Sequence, residues 1–130
     1  MPLSFKINQK SNYIYCRYIG KINDEELFNS WKAFYESDAW VPGMNELSDL
    51  TEGDASEITA EGIKHIARYA RSIHEKHNIH FVKIALVAPE TLNYGLSRMY
   101  AGLTSGSAEN VRVFKSKFEA DAWLRGIIEE

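Results

Sequence analysis

Two clusters in this 130-residue sequence combine residue types and spacings that can do chemistry. Tyr94 and Arg98, in "PETLNYGLSRMY", are one helical turn apart and share a face if the segment is helical. A guanidinium beside a phenol can receive a carboxylate, a phosphate or a lipid headgroup. The same arginine can instead pair with Asp49 or Glu46 of "NELSDL", leaving Tyr94 to pack on a sheet. Tyr94, Arg98 and Asp49 are therefore the ligand-binding candidates. "HEKHNIH" sets His74 and His77 on one helix face, with His80 following. Three imidazoles can ligate a transition metal. Their spacing is not His-Glu-x-x-His, however, and histidines suit a solvated helix end on dipole grounds alone, so no metal site is assigned.

Other reactive types have simpler accounts. Cys16 is the sole cysteine; it cannot form an internal disulfide and reads as a small apolar group in a strand. Trp31, Phe34, Tyr35 and Trp40 can line a groove under a helix, but the spacing of the first three suits core packing. Asp24, Glu25 and Glu26 fall in a helix first turn, where negative charge is stabilising anyway. The sequence has no Gly-rich phosphate loop, no Gly-x-Ser-x-Gly elbow and no Cys-x-x-Cys. No catalytic residue or cofactor is assigned, and a non-enzymatic protein is expected.

The elements that must position these residues follow from periodicity. "LSFKI" alternates, "YIYCRYI" is aromatic and β-branched, and the polar "NQKSN" between them predicts an antiparallel hairpin. Asn23 and Glu26 predict a capping box for a first helix with Leu27, Phe28, Trp31, Phe34 and Tyr35 on one face. A short strand is expected over Asn45–Leu50, then a polar loop "TEGDASEI". A second helix follows, with Ile63, Ile66, Ala67, Ala70 and Ile73 inward. "FVKIALVA" reads as a strand covered on both faces, ended by Pro89. Leu92, Leu96, Met99 and Leu103 predict the inward stripe of a third helix, with Gly95 and Gly102 allowing close approach to the sheet. "VRVF" is a last strand. Ser116 and Glu119 predict a capping box for a fourth helix with Ala120, Trp123, Leu124 and Ile127. The order β-β-α-β-α-β-α-β-α implies right-handed crossovers and a mostly parallel α/β sheet with an N-terminal antiparallel hairpin.

Composition narrows the classes further. Apolar residues are 45% and charged residues 25%, as in ordinary globular chains, and the length suits one continuous domain over residues 1–130. A net charge of −3 argues against nucleic acid as a partner. No apolar run reaches membrane-spanning length, and the start has no signal-peptide core, so a cytoplasmic protein is expected.

The element order, with "GKINDEEL", "ELSDLTEG", "ALVAPETLNYGLSRMYAGL" and "VRVFKSKFEADAWL", resembles the STAS domain, the fold of bacterial anti-sigma-factor antagonists. More closely it is similar to a branch of small uncharacterised SpoIIAA-like bacterial proteins, related in fold to CRAL-TRIO lipid-exchange domains. The resemblance implies a regulatory or protein-interaction module with a kinase-like or anti-sigma-like partner. In regulatory STAS domains a serine at the start of the helix after the third strand is phosphorylated, within Asp-Ser-Ser/Thr-Gly. Here "DASEI" puts Asp54 at the aspartate and Ser56 at the phosphorylated position, with Ala55 and Glu57 departing from the motif. A shifted register offers Thr59. Both are also residue types that cap helices. The alternative function is binding of a small apolar or anionic ligand, or a lipid, between the first helix, the third helix and the sheet edge near Tyr94 and Arg98. Exposed edge strands would also suit a homodimer.

Overall fold

The computed structural model describes residues 2–8, 10 and 12–127. Gln9 and Ser11 of the expected hairpin loop lie outside the described residues. The chain runs β1 (Leu3–Asn8), β2 (Tyr13–Asn23), α1 (Asp24–Tyr35), β3 (Asn45–Glu57), α2 (Ala60–Lys76), β4 (Val82–Val87), α3 (Thr91–Leu103), β5 (Glu109–Phe114) and α4 (Lys117–Leu124). The sheet order is β1-β2-β3-β4-β5. β1 is antiparallel to β2, and every other neighbouring pair is parallel.

All three parallel crossovers step the same way along the sheet, so right-handedness puts α1, α2 and α3 on one face. On that face Ile14, Cys16 and Tyr18 of β2 pack with Leu27, Trp31 and Phe34 of α1 and with Ile63 and Ile66 of α2. α4 follows the last strand and covers the other face, where Ala120, Trp123 and Leu124 meet Leu47, Ala85 and Val87. β4 is thus covered on both sides, which is why its sequence is continuously apolar.

Local signals explain the helix ends. Asn23 accepts from the Glu26 backbone and Glu26 reaches back to the Asn23 N–H, closing the expected capping box. At α4 Ser116 accepts from the Glu119 backbone. That helix stops at Leu124, and Ile127 is exposed rather than continuing the buried stripe. Gly126 follows in the left-handed region with φ of 78°, a conformation that ends helices.

Three expectations are corrected. β3 does not end at Leu50; it continues through the segment read as a loop, to Glu57. The 11-residue β2 supplies a partner for this extension, pairing Ile19 with Glu52, Lys21 with Asp54 and Asn23 with Glu57. Opposite charges face each other along it, Arg17 with Glu52 and Lys21 with Glu57. β4 follows β3 only as far as Asp49, so β2 and β3 run on as a two-stranded ribbon. The inward residues of α3 are Asn93 and Ser97, with Leu96 and Tyr100 half-buried, whereas Leu92, Met99 and Leu103 are exposed. The rotation follows from Asn93, whose amide donates to the carbonyls of Leu50 and Gly53 and pins the helix to the start of the ribbon. Gly95 and Gly102 accordingly face open space and do not mediate close approach.

Candidate functional site

The sheet face under α1, α2 and α3 does not close completely. A cavity of about 80 Å³ lies between the three helices and β2, β3 and β4. It has room for several waters or a small organic molecule. Most of its wall is aliphatic and aromatic, and Ala55 and Ile58 from the ribbon end form part of it. The polar groups in the wall are those of Tyr18, Tyr35, Glu46, Ser48, Ser97 and Tyr100, with Trp31 beside them.

Strand alternation places Glu46, Ser48 and Leu50 on this face of β3, opposite Leu47 and Asp49. Glu46 is buried and accepts from the Tyr35 hydroxyl at 2.8 Å. Burial, reinforced by the charge of Glu109 and opposed by the Tyr35 bond, pushes its pKa up to about 8. Burial thus favours the protonated form of this side chain, which can donate a hydrogen bond as well as accept one. Glu109 opens β5, shares a face with Val111 and Val113, and is itself buried. Tyr100 of α3 donates to its Oε1 at 2.7 Å, and His74 Nε2 of α2 lies 2.9 Å from its Oε2. The remaining ring nitrogen of His74 has no partner among the described residues. Trp31 Nε1 donates to the Tyr18 hydroxyl at 2.9 Å, which sits 3.5 Å from Ser48 Oγ. Burial holds the Tyr18, Tyr35 and Tyr100 phenols well above their ordinary values, so they remain neutral hydrogen-bonding groups. Burial likewise raises the Cys16 thiol and keeps it from acting as a thiolate.

The residues singled out by sequence are distributed elsewhere. Arg98 is exposed and pairs with neither Asp49 nor Glu46; its Nη1 donates to the Tyr94 hydroxyl at 3.4 Å. Lys115 lies 4.3 Å from the centre of the Tyr94 ring. Asp49 lies on the α4 face of the sheet. It accepts from the Tyr15 hydroxyl at 2.6 Å and from the Thr51 backbone and hydroxyl at 3.0 and 2.6 Å. Burial works to raise the Asp49 carboxyl, but these bonds outweigh it and hold the group below its ordinary value. Tyr94, Arg98 and Asp49 are not among the residues lining the cavity.

Ser56 stands in β3, exposed, and not at a helix start; its backbone N–H donates to Asp54. Thr59 is the residue that caps α2. Its hydroxyl accepts from the Gly62 N–H and donates to Asp24, which also accepts from the Thr59 backbone at 2.8 Å. A Cβ at Gly62 would overlap that Asp24 carboxylate, so glycine there lets Asp24 reach Thr59. The three histidines separate. His74 is buried on Glu109, the His77 ring stands 5.1 Å from Trp40, and His80 is exposed beyond α2. Among the described residues no three His, Cys, Asp or Glu side chains gather as a metal site.

Periodicity could have found the buried groups. His74 continues the Ile63, Ile66, Ala67, Ala70 stripe, and Glu109 is in step with Val111 and Val113. Reading charged types as surface residues hid them.

The fold is similar to that of a protein solved by crystallography. An uncharacterised protein of the DUF3478 family from Shewanella loihica, described as having a SpoIIAA-like fold, is 19% identical over 94% of this chain and 91% of its own, with a TM-score of 0.56. The fold is SpoIIAA-like. At that identity the likeness concerns the fold alone. No family model matches the chain, and no curated protein matches it significantly. No helix among the described residues is long and apolar enough to cross a membrane.

Proposed function

We propose that this SpoIIAA-like protein binds a small, uncharged, mostly apolar molecule carrying one hydrogen-bonding oxygen, in the cavity under α1, α2 and α3. The observation that carries this reading is Glu46, a carboxyl buried in the aliphatic and aromatic wall of the cavity, where burial favours its uncharged form. Burying a carboxyl there costs free energy that a leucine would not. A ligand hydroxyl or carbonyl can add a hydrogen bond to Glu46, Ser48 or Tyr18, which already bond to Tyr35, to each other and to Trp31. A charged ligand is disfavoured, because its charge would be desolvated on entry.

Phenol and benzyl alcohol are suitable probes, with benzoate as the charged control. The expected result is a saturable shift of the Trp31 Nε1–H resonance with the two alcohols and none with benzoate. The variant Ser97→Leu, which fills the cavity, should remove the response. No saturable shift with either alcohol, or the same shift in the filled variant, contradicts the proposal.

A second reading is a protein-interaction module of STAS type, favoured by the exposed apolar residues Leu92, Met99 and Leu103 on α3. Phosphate control at Thr59 fits poorly with the geometry. A phosphate there would displace the Gly62 cap and stand against the Asp24 carboxylate. Ser56 is free of that conflict and is the better phosphorylation candidate. Phosphosite mapping on protein isolated from its native cells checks it: modified Ser56 supports the reading, and an unmodified Ser56 under all growth conditions removes the switch.

A further inference from the structure

A second cavity lies at the C-terminal end of α2, against the loop between α3 and β5. It is polar, holds about 250 Å³, and includes Arg71, His74, Glu75, His80 and Ser107 in its wall. His74 is the one ionisable side chain shared by this wall and the buried acid cluster. Its Nε2 is occupied by Glu109, while Nδ1, itself buried, is unpartnered among the described residues. A buried ring nitrogen without a partner is uncommon and asks for a missing group. Arg71, one turn before Glu75 on α2, makes no ion pair among the described residues, and His80 projects from the segment after the helix. The charged and titratable groups around His74 are thus Glu109 on one side and Arg71, Glu75 and His80 on the other, with the Tyr35 ring 6.3 Å away.

We propose that this outer cavity binds a small oxyanion, a carboxylate or phosphate group, held by Arg71 and His80 with His74 Nδ1–H as the buried donor. A planar guanidinium takes two oxygens at once, which favours an oxyanion over a halide. Glu75 is the opposing charge in the wall and limits affinity. The oxyanion site itself stands whether or not the inner cavity takes a ligand.

The test follows the histidine ring nitrogens by NMR while sodium phosphate or sodium acetate is added to the intact chain, with sodium chloride at matched ionic strength as control. The expected result is a saturable shift of both His74 and His80 with at least one oxyanion and none with chloride. Arg71→Ala should weaken binding roughly tenfold or more, the usual worth of a charge-assisted contact. Glu75→Gln should strengthen it. Both residues are exposed, so both variants should fold. No saturable shift, a shift that leaves His74 unmoved, or equal affinity in Arg71→Ala would overturn the proposal.

Discussion

The two faces of the sheet bury side chains in different ways. Under α4 the contacts are apolar and close: Trp123, Leu124 and Ala120 pack on Leu47, Ala85 and Val87. Polar atoms on that side occur in paired contacts, Tyr13 with Asp121 at 2.6 Å and Tyr15 with Asp49 at 2.6 Å. Under α1, α2 and α3 the cavity wall holds Glu46, Ser48 and Ser97, all buried, and the buried His74–Glu109 pair lies behind it through Tyr100. Both faces are cut from the same strands, so strand propensity does not separate them. The difference is that one face is filled by side chains and the other leaves space beside a buried, hydrogen-bonded polar network. Packing alone accounts for the first face and not for the second.

The largest effect that tests this contrast is truncation. Trp123→Ala on the filled face should cost about 3–5 kcal/mol, as for other buried tryptophans, while Leu27→Ala beside the cavity should cost about 2–3 kcal/mol. Urea unfolding of the two variants measures both, and the reverse order would dissolve the contrast. Part of the Leu27→Ala loss should return on adding phenol, whereas the Trp123→Ala loss should not.

The next effect is a pH dependence. A carboxyl whose folded pKa is raised holds its proton in the native state after the unfolded chain has lost it. Stability is then greatest below the ordinary value of 4.5, falls as pH rises towards about 8, and levels off above that. Glu46→Gln keeps an acceptor for Tyr35 and should flatten this fall. Denaturation at a series of pH values in both proteins shows it; an unchanged slope in the variant would assign the effect to another group.

Smaller effects belong to the margins of the site. Thr59→Ala should cost about 1 kcal/mol, the ordinary worth of a helix cap, by thermal unfolding. Arg98→Ala should change stability by no more than about 0.5 kcal/mol, as at other exposed positions, and should leave alcohol binding unaltered. Lost binding in Arg98→Ala would move the site back to the sheet edge.

Element order and strand character were legible because they depend on local periodicity. The capping box at Asn23 and the stop at Pro89 needed only neighbouring residues. The ribbon end of β3 was not legible, because "TEGDASE" has the composition of a loop and becomes strand through backbone pairing with the long β2. The rotation of α3 was hidden for a similar reason. Asn93 outranks three leucine-sized side chains once the Leu50 and Gly53 carbonyls need donors. The acid cluster joins residues from β3, α2, α3 and β5 that share no sequence motif, so only the assembled fold brings them together.

The carbon-13 resonance of the Glu46 side-chain carboxyl, followed through a pH titration of the folded protein, tests the central claim most directly. A neutral acid in the cavity wall predicts that the resonance stays at its protonated position through neutral pH and moves only near about 8. Titration near 4.5 would make Glu46 an ordinary carboxylate and remove the reason to regard the cavity as a binding site.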